Sequence, residues 1–175
     1  MEFENVVNER RSIRRFKDIK VDKNKILHMI ETAQKAPSWK NSQTSRYYVV
    51  EELGQDVIDC LPEFNQISVS NAPTLIVCTV VEKRSGHNRD GEAETHLGDG
   101  FTYFDNGLQV QNLVLQAQNL GLGTLIMGIY DNKRLRKVLS IPKDETITVV
   151  IAVGYPDIEP NAPQRKDIND IVTFM

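Results

Sequence analysis

The chain of 175 residues has only two cysteines, Cys60 and Cys78, which lie far apart within apolar patterns and form no CxxC pair. That usage predicts buried free thiols and argues against a disulfide framework or a redox couple. No apolar run approaches the ~18 residues that a membrane helix needs, so no membrane partner is expected. There is no basic surplus either: 21 Lys and Arg stand against 24 Asp and Glu, giving a net charge of −3 and a pI near 5.7. Phosphate-backbone binders usually carry such a surplus, so nucleic acid is not the expected partner. Met1 is followed by Glu2 and Glu4, not by a basic end and an apolar block, so a cytoplasmic location is expected. Repeats and low-complexity segments are also missing.

What is present is the stock of an ordinary globular domain, 40% hydrophobic and 26% charged. The length suits one sizeable core, and residues 1–175 are read as a single domain. After a short amphipathic opening, Asp22 can cap a helix carrying Ile26, Leu27, Met29, Ile30 and Ala33, with Pro37 stopping it. "RYYVVE" (46–51) predicts a short strand and "QDVIDCL" a helix, while the β-branched run "TLIVCTVVE" (74–82) predicts a central strand covered on both faces. Residues 83–101 are polar and dotted with glycine, a mobile loop or an ordered lid. The longest helix is expected from about 103 to 120. It places Leu108 and Leu115 on one face, yet Val110, Leu113 and Val114 spread apolar character around it, which predicts burial on several sides. "GTLIM" and "TITVVIAVGY" (146–155) read as further strands, with "DNKRLRKVL" a capped surface helix between them. The last residues, about 156–175, hold three prolines and no core of their own; such an arm should lie on something else, such as a second subunit. The fold class is α+β, with roughly four strands and several helices.

Three segments carry candidate chemistry. "NERRSIRRFK" (8–17) gathers four arginines around a serine. If it is extended, Arg10, Ser12 and Arg14 share one side and Arg11, Ile13 and Arg15 the other. Two guanidinium forks beside a hydroxyl suit a phosphate or a polyol phosphate. A solvated basic loop after a helix is the plainer alternative. In "APSWKNSQ" (36–43), Ser38, Asn41 and Gln43 offer neutral hydrogen-bonding groups that fit a heteroaromatic edge or a sugar, although the same residues are common turn formers. In "NLGLGTLIMGIYD" (119–131) the glycines do not follow the dinucleotide fingerprint, and Gly121 reads as a helix C-cap. Gly128, at a strand end, would let a flat ligand approach the backbone. His87 and His96 share a loop with Asp90, Glu92 and Glu94, but their spacing matches no standard metal motif, and no metal is expected.

Together these pieces resemble the nitroreductase family of FMN-dependent oxidoreductases in its short form. The resemblance runs through "RRSIRRF", "APSWKNSQ", "QNLVLQAQNLGLGTLIMG" (111–128), "VIAVGYP" (150–156) and "QRKDINDIV" (164–172), nearly the whole chain. It implies a three-layer fold, with a central, mostly antiparallel sheet of four to five strands flanked by helices, in an intertwined homodimer joined through the long helix. It implies that Arg10, Ser12 and Arg14 hold the FMN phosphate and ribityl chain, completed by Arg165 with Lys166 as a second candidate. By the same resemblance Pro37, Ser38, Asn41 and Gln43 reach the flavin bound mainly by the other subunit. Asn65 is the best match to the residue at the pyrimidine edge, and backbone at Met127 and Gly128 faces the ring.

The activity so implied is reduction of FMN by NADH or NADPH, followed by reduction of a small-molecule acceptor such as a nitroaromatic or quinone in a ping-pong cycle. The hydride chemistry belongs to the cofactor, so no catalytic side chain is named. Alternatives are a dehalogenating or flavin-fragmenting enzyme on the same fold, or a non-enzymatic flavin-binding or redox-sensing protein. The chain departs from the family in having Thr44 and Ser45 where Pro-Trp is common, and 83–101 matches no family motif.

Overall fold

The structure, a computed structural model, describes residues 2–72 and 74–175. The chain opens with α1 (Phe3–Glu9) and α2 (Lys23–Gln34). Asp22 caps α2 as its position predicts, accepting from the Asn24 N–H at 2.7 Å. A turn at Trp39–Asn41 leads to β1 (Ser45–Val50), then α3 (Gln55–Ile58), α4 (Glu63–Val69) and β2 (Thr74–Val81). The long helix is α5 (Gly100–Asn119), followed by β3 (Gly123–Met127), α6 (Asn132–Val138) and β4 (Glu145–Gly154).

Among the described residues the strands form one antiparallel sheet in the order β1-β2-β4-β3. Every residue of β2 is buried, as an unbroken β-branched run predicts. Its side chains alternate between two cores. Leu75 and Val77 meet Ile147, Val150 and Ala152 on the face covered by residues of α3 and α6, whereas Ile76 and Cys78 meet Ile151 and Val153 under α2 and α5. The result is the expected three layers, helices on both faces of a sheet. Both cysteines are buried and free, and burial pushes the Cys78 thiol up to about 12. No helix among the described residues is long and apolar enough to cross a membrane.

Some elements depart from the pattern-based reading. α4 escapes it because Phe64 and Ile67, at 58% and 69% exposure, face outward, so hydrophobic spacing does not report its buried side. In α5, Val110, Leu113, Val114 and Ala117 face the sheet and α2, while Tyr103 and Phe104 are exposed and Leu108 and Leu115 only half-buried. Burial is therefore one-sided within the chain. Of segment 83–101, residues 83–99 are an ordered chain of turns, bridged between His87 and Ala93, and the last two open α5. Among the described residues the C-terminal arm is held at its root, where the Asp157 N–H donates to the Arg15 carbonyl at 3.0 Å and Ile158 packs on the core. Residues 161–175 are all exposed, Ile168, Ile171 and Phe174 included.

Candidate functional site

The arginine-rich segment is an extended strap across the open edge of the sheet. Ser12 bridges Thr124 of β3 in parallel fashion, the Ile13 N–H donates to the Thr124 carbonyl at 2.9 Å, and Phe16 bridges Pro156 beyond β4. Ile13 and Phe16 anchor it, both buried. The close approach depends on Gly123, because a Cβ there would stand 2.5 Å from Ile13 Cγ1 and 3.1 Å from Pro156 Cγ. Sequence reasoning passed over this glycine, since the residue that demands it lies at the other end of the fold. Strict alternation holds through Arg14 and then fails: Arg15 is exposed, not buried with Ile13, and pairs with Asp157 at 3.1 Å.

Arg15 is thus engaged, and so in part is Arg11, whose guanidinium donates to the Asn8 and Arg10 carbonyls. Arg10, Arg14, Arg165 and Lys166 differ, for none of their side chains has a carboxylate or hydrogen-bonding partner among the described residues. Arg10 is partly desolvated at the end of α1, and its pKa is lowered first by that burial and then by the positive charges of Arg11 and Arg165. Chain topology has therefore brought Arg165, on the extended arm, into electrostatic range of Arg10. Clustered guanidinium groups without a counter-charge form a receptor for an anion.

Next to the strap, β3 ends in Met127, which is buried, and Gly128, which is exposed. A Cβ at Gly128 would meet nothing within 4 Å, so no packing within the chain calls for glycine there. Asn65, buried on α4, points its amide at the Ile129 carbonyl, a long contact of 3.5 Å, and so stands beside the same strand end.

Pro37, Ser38, Asn41 and Gln43 lie elsewhere. They precede β1, the opposite edge of the sheet from β3. Their loop is held at the N-terminal part of α5, where the Trp39 N–H donates to Asp105 Oδ2 at 2.8 Å, whereas the strap lines a cavity with Gln118. The rise between Asp105 and Gln118 is about 20 Å at 1.5 Å per residue. The candidate residues therefore form two groups that the single chain keeps apart. Inside the second group, Ser38 Oγ accepts from the Gln43 N–H at 3.1 Å, and Lys40, Asn41 and Gln43 adopt positive φ angles of 47°, 55° and 49°. Left-handed backbone at three non-glycine residues is strained, and such strain gathers at functional loops. The Asn41 and Gln43 side chains are exposed and make no hydrogen bond among the described residues. Where the family often has Pro-Trp, Thr44 and Ser45 are buried, and Ser45 Oγ accepts from Asn106 Nδ2 at 2.9 Å.

Asp105, 1% exposed, is a second residue that sequence reasoning missed. A signal existed: Thr102, Asp105, Asn106 and Gln109 are polar residues at helical spacing, and all are buried. Among the described residues no group of His, Cys, Asp and Glu could hold a metal ion.

A four-stranded antiparallel sheet between helical layers is a class of α+β fold with many solved members. The family model for the nitroreductase family matches residues 7–70 and 59–155, and the chain belongs to that family. It is 26% identical over 193 residues to the NADH dehydrogenase of Thermus thermophilus, covering 95% of this chain and 92% of that one. The solved nitroreductase family protein of Clostridium novyi NT is similar with a TM-score of 0.78 and 26% identity, over 90% of this chain and 86% of the other. A protein of the same fold from Exiguobacterium sibiricum 255-15, solved in complex with FMN, has a TM-score of 0.85 at 22% identity, over 100% and 98% of the two chains.

Proposed function

We propose that the chain is an FMN-dependent NAD(P)H oxidoreductase, acting as one cofactor-binding domain in a homodimer, that reduces nitroaromatics, quinones or similar acceptors by a ping-pong cycle. The observation that carries this reading is the convergence of Arg10 and Arg165 without a counter-charge. The residues fit the group: an arginine cluster whose Arg10 is partly desolvated suits its phosphate, the Ser12 hydroxyl a ribityl hydroxyl, and the open backbone at Gly128 a flat ring. When bound, FMN supplies the hydride chemistry, accepting from NADH or NADPH and donating to the acceptor.

The protein's part is to bind and to orient. Arg10, Ser12, Arg14 and Arg165, with Lys166 beside them, hold the anionic tail. Backbone at Met127 and Gly128 and the amide of Asn65 would hold the ring. Pro37, Ser38, Asn41 and Gln43 would come from the second chain, since their own chain keeps them about 20 Å along α5 from the strap.

The test is the visible spectrum of the purified protein before and after anaerobic NADPH. A yellow protein that releases FMN on denaturation and bleaches with NADPH is the expected result. A colourless protein that takes up no added FMN overturns the reading, and a yellow one that neither NADPH nor NADH bleaches reduces it to flavin binding. Assays with halogenated acceptors separate the dehalogenating alternative.

A further inference from the structure

Loop 82–99 carries a feature that the flavin reading leaves unused. A groove of about 430 Å³ is lined by Lys40, Lys83, Arg84, His87, Asn88 and Arg89, with no carboxylate in its lining. Cavities of similar size elsewhere are mixed: one of about 450 Å³ includes Glu9 and Glu159, another of about 470 Å³ Asp157 and Glu159. In a chain of net charge −3, a pocket lined with charge of one sign is a marked local departure.

Both walls of the groove are fixed to one buried carboxylate. Asp105 accepts from the Trp39 N–H, next to Lys40, and from the hydroxyl of the fully buried Ser85, next to Arg84. The Ser85 carbonyl accepts from Thr102 Oγ1 at 3.3 Å, and the Gly86 carbonyl accepts from the Glu94 N–H at 2.8 Å. Asn88 Oδ1 accepts from the N–H groups of Asp90 and Glu92, closing the turn that displays Arg89.

Four of the loop's five acids are engaged, and the fifth, Asp90, is exposed and outside the groove's lining; Glu82 accepts from the Tyr103 and Thr146 hydroxyls. Glu94 pairs with Lys40, Glu92 accepts from Asn88 Nδ2, and Asp99 accepts from the Lys83 N–H and faces His87 Nε2 at 3.7 Å. Lys83, Arg84 and Arg89 take part in no ion pair among the described residues. Like charges held together on an ordered turn repel one another, and an anion with several oxygens relieves that repulsion while matching the guanidinium forks.

We propose that this groove is a binding site for a phosphate-bearing anion, placed by Lys40 next to the loop that would reach the flavin. Only that placement rests on the flavin reading; the groove stands without it. Two sources share the chemistry, the 2′-phosphate of NADPH and a phosphate on the acceptor. Asp105 is a positioning residue, acting through both walls.

Inorganic pyrophosphate is the probe, titrated by calorimetry into the FMN-loaded wild type and into Arg84→Gln/Arg89→Gln. The wild type should bind it, and the double variant should bind at least about tenfold more weakly, with equal flavin absorbance per chain. Lysine at both positions should restore part of the loss. Equal affinity in the two proteins, or no binding to the wild type, overturns the proposal. If the variant loses its far-ultraviolet circular dichroism, Lys83→Gln with the same titration decides instead. Should the protein refuse FMN, the flavin reading fails, yet the difference between wild type and variant still decides the groove, because the Arg10 cluster is common to both. A rise in the ratio of KM for NADPH to KM for NADH assigns the anion to the dinucleotide. An unchanged ratio, with pyrophosphate competing against the acceptor, assigns it to the acceptor.

Discussion

Leu113 and Leu115 are near neighbours on α5 in opposite surroundings. Leu113 is fully buried in the core shared with α2, β2 and β4, whereas Leu115 lines an open cleft of about 300 Å³ with Phe3, Val6 and Asn112. Phe104, at 55% exposure, and Leu108 continue the outer face. Apolar spacing alone reports both faces as buried. The structure divides them into a face that the chain satisfies for itself and a face that it covers only in part, which is where the proposed homodimer would add a second chain. The same division runs through the strap, where Ile13, Phe16 and Arg15 have partners and the Arg10 and Arg14 side chains do not.

Charging each face in turn gives the two largest expected effects. Leu113→Asp puts an unpaired carboxylate in a packed core, at a cost on the order of 4–5 kcal/mol or more. Against a total stability on the order of 5–15 kcal/mol, the variant should melt far below the wild type by circular dichroism. Leu115→Asp should keep its circular dichroism but weaken self-association by at least about tenfold. FMN should be lost along with the dimer, because half of the proposed site would come from the partner. Sedimentation of the FMN-loaded protein checks this. A stable Leu115→Asp monomer that retains flavin would show the site to be complete in one chain and would break the comparison.

The sequence made the satisfied parts legible and left the others partly hidden, for physical reasons. β2 and the second half of β4, Val149–Val153, are apolar runs because both of their faces are covered, so they are plain in the sequence. α2 announces itself through Asp22. α4 does not, because Phe64 and Ile67 point outward. Arg10, Ser12 and Arg14 stood out by composition, and Arg165 by resemblance alone, since only the folded arm carries it toward Arg10. Gly123 and Asp105 were missed because what each one does is decided by a distant partner, Ile13 for the first and Trp39 with Ser85 for the second.

Within the strap, Arg14 and Arg15 sharpen the same contrast at smaller scale. Arg15 binds Asp157 through its side chain and carbonyl at an exposed site, an ion pair worth about 0–1 kcal/mol. Arg15→Ala should therefore lower stability slightly and leave flavin affinity nearly unchanged. Arg14→Ala should do the reverse, weakening FMN binding by about 1.5–3 kcal/mol through loss of a charge-assisted contact while leaving the melting temperature alone. Flavin titration and thermal melting of both variants separate the effects. Equal losses of affinity would remove the facing assigned to Arg14.

The smallest expected effect is at Gly128, and there the two contributions have opposite sign. Nothing in the chain lies within 4 Å of a Cβ added at this position, and its φ is outside the left-handed region, so alanine fits the folded backbone. By restricting the unfolded chain, Gly128→Ala should stabilise the flavin-free protein by about 0.4–1 kcal/mol. If a flat ring lies against this backbone, however, the added methyl meets it, and affinity for FMN should fall by about 1 kcal/mol, roughly fivefold, near the low end for overpacking at a site that can yield. The signature is thus a higher melting temperature without flavin and weaker binding with it. A variant that melts higher and binds FMN as well as the wild type would mean that the strand end faces solvent and that the ring is held elsewhere. A variant that melts lower would mean that a second chain, rather than a ligand, fills the space above Gly128.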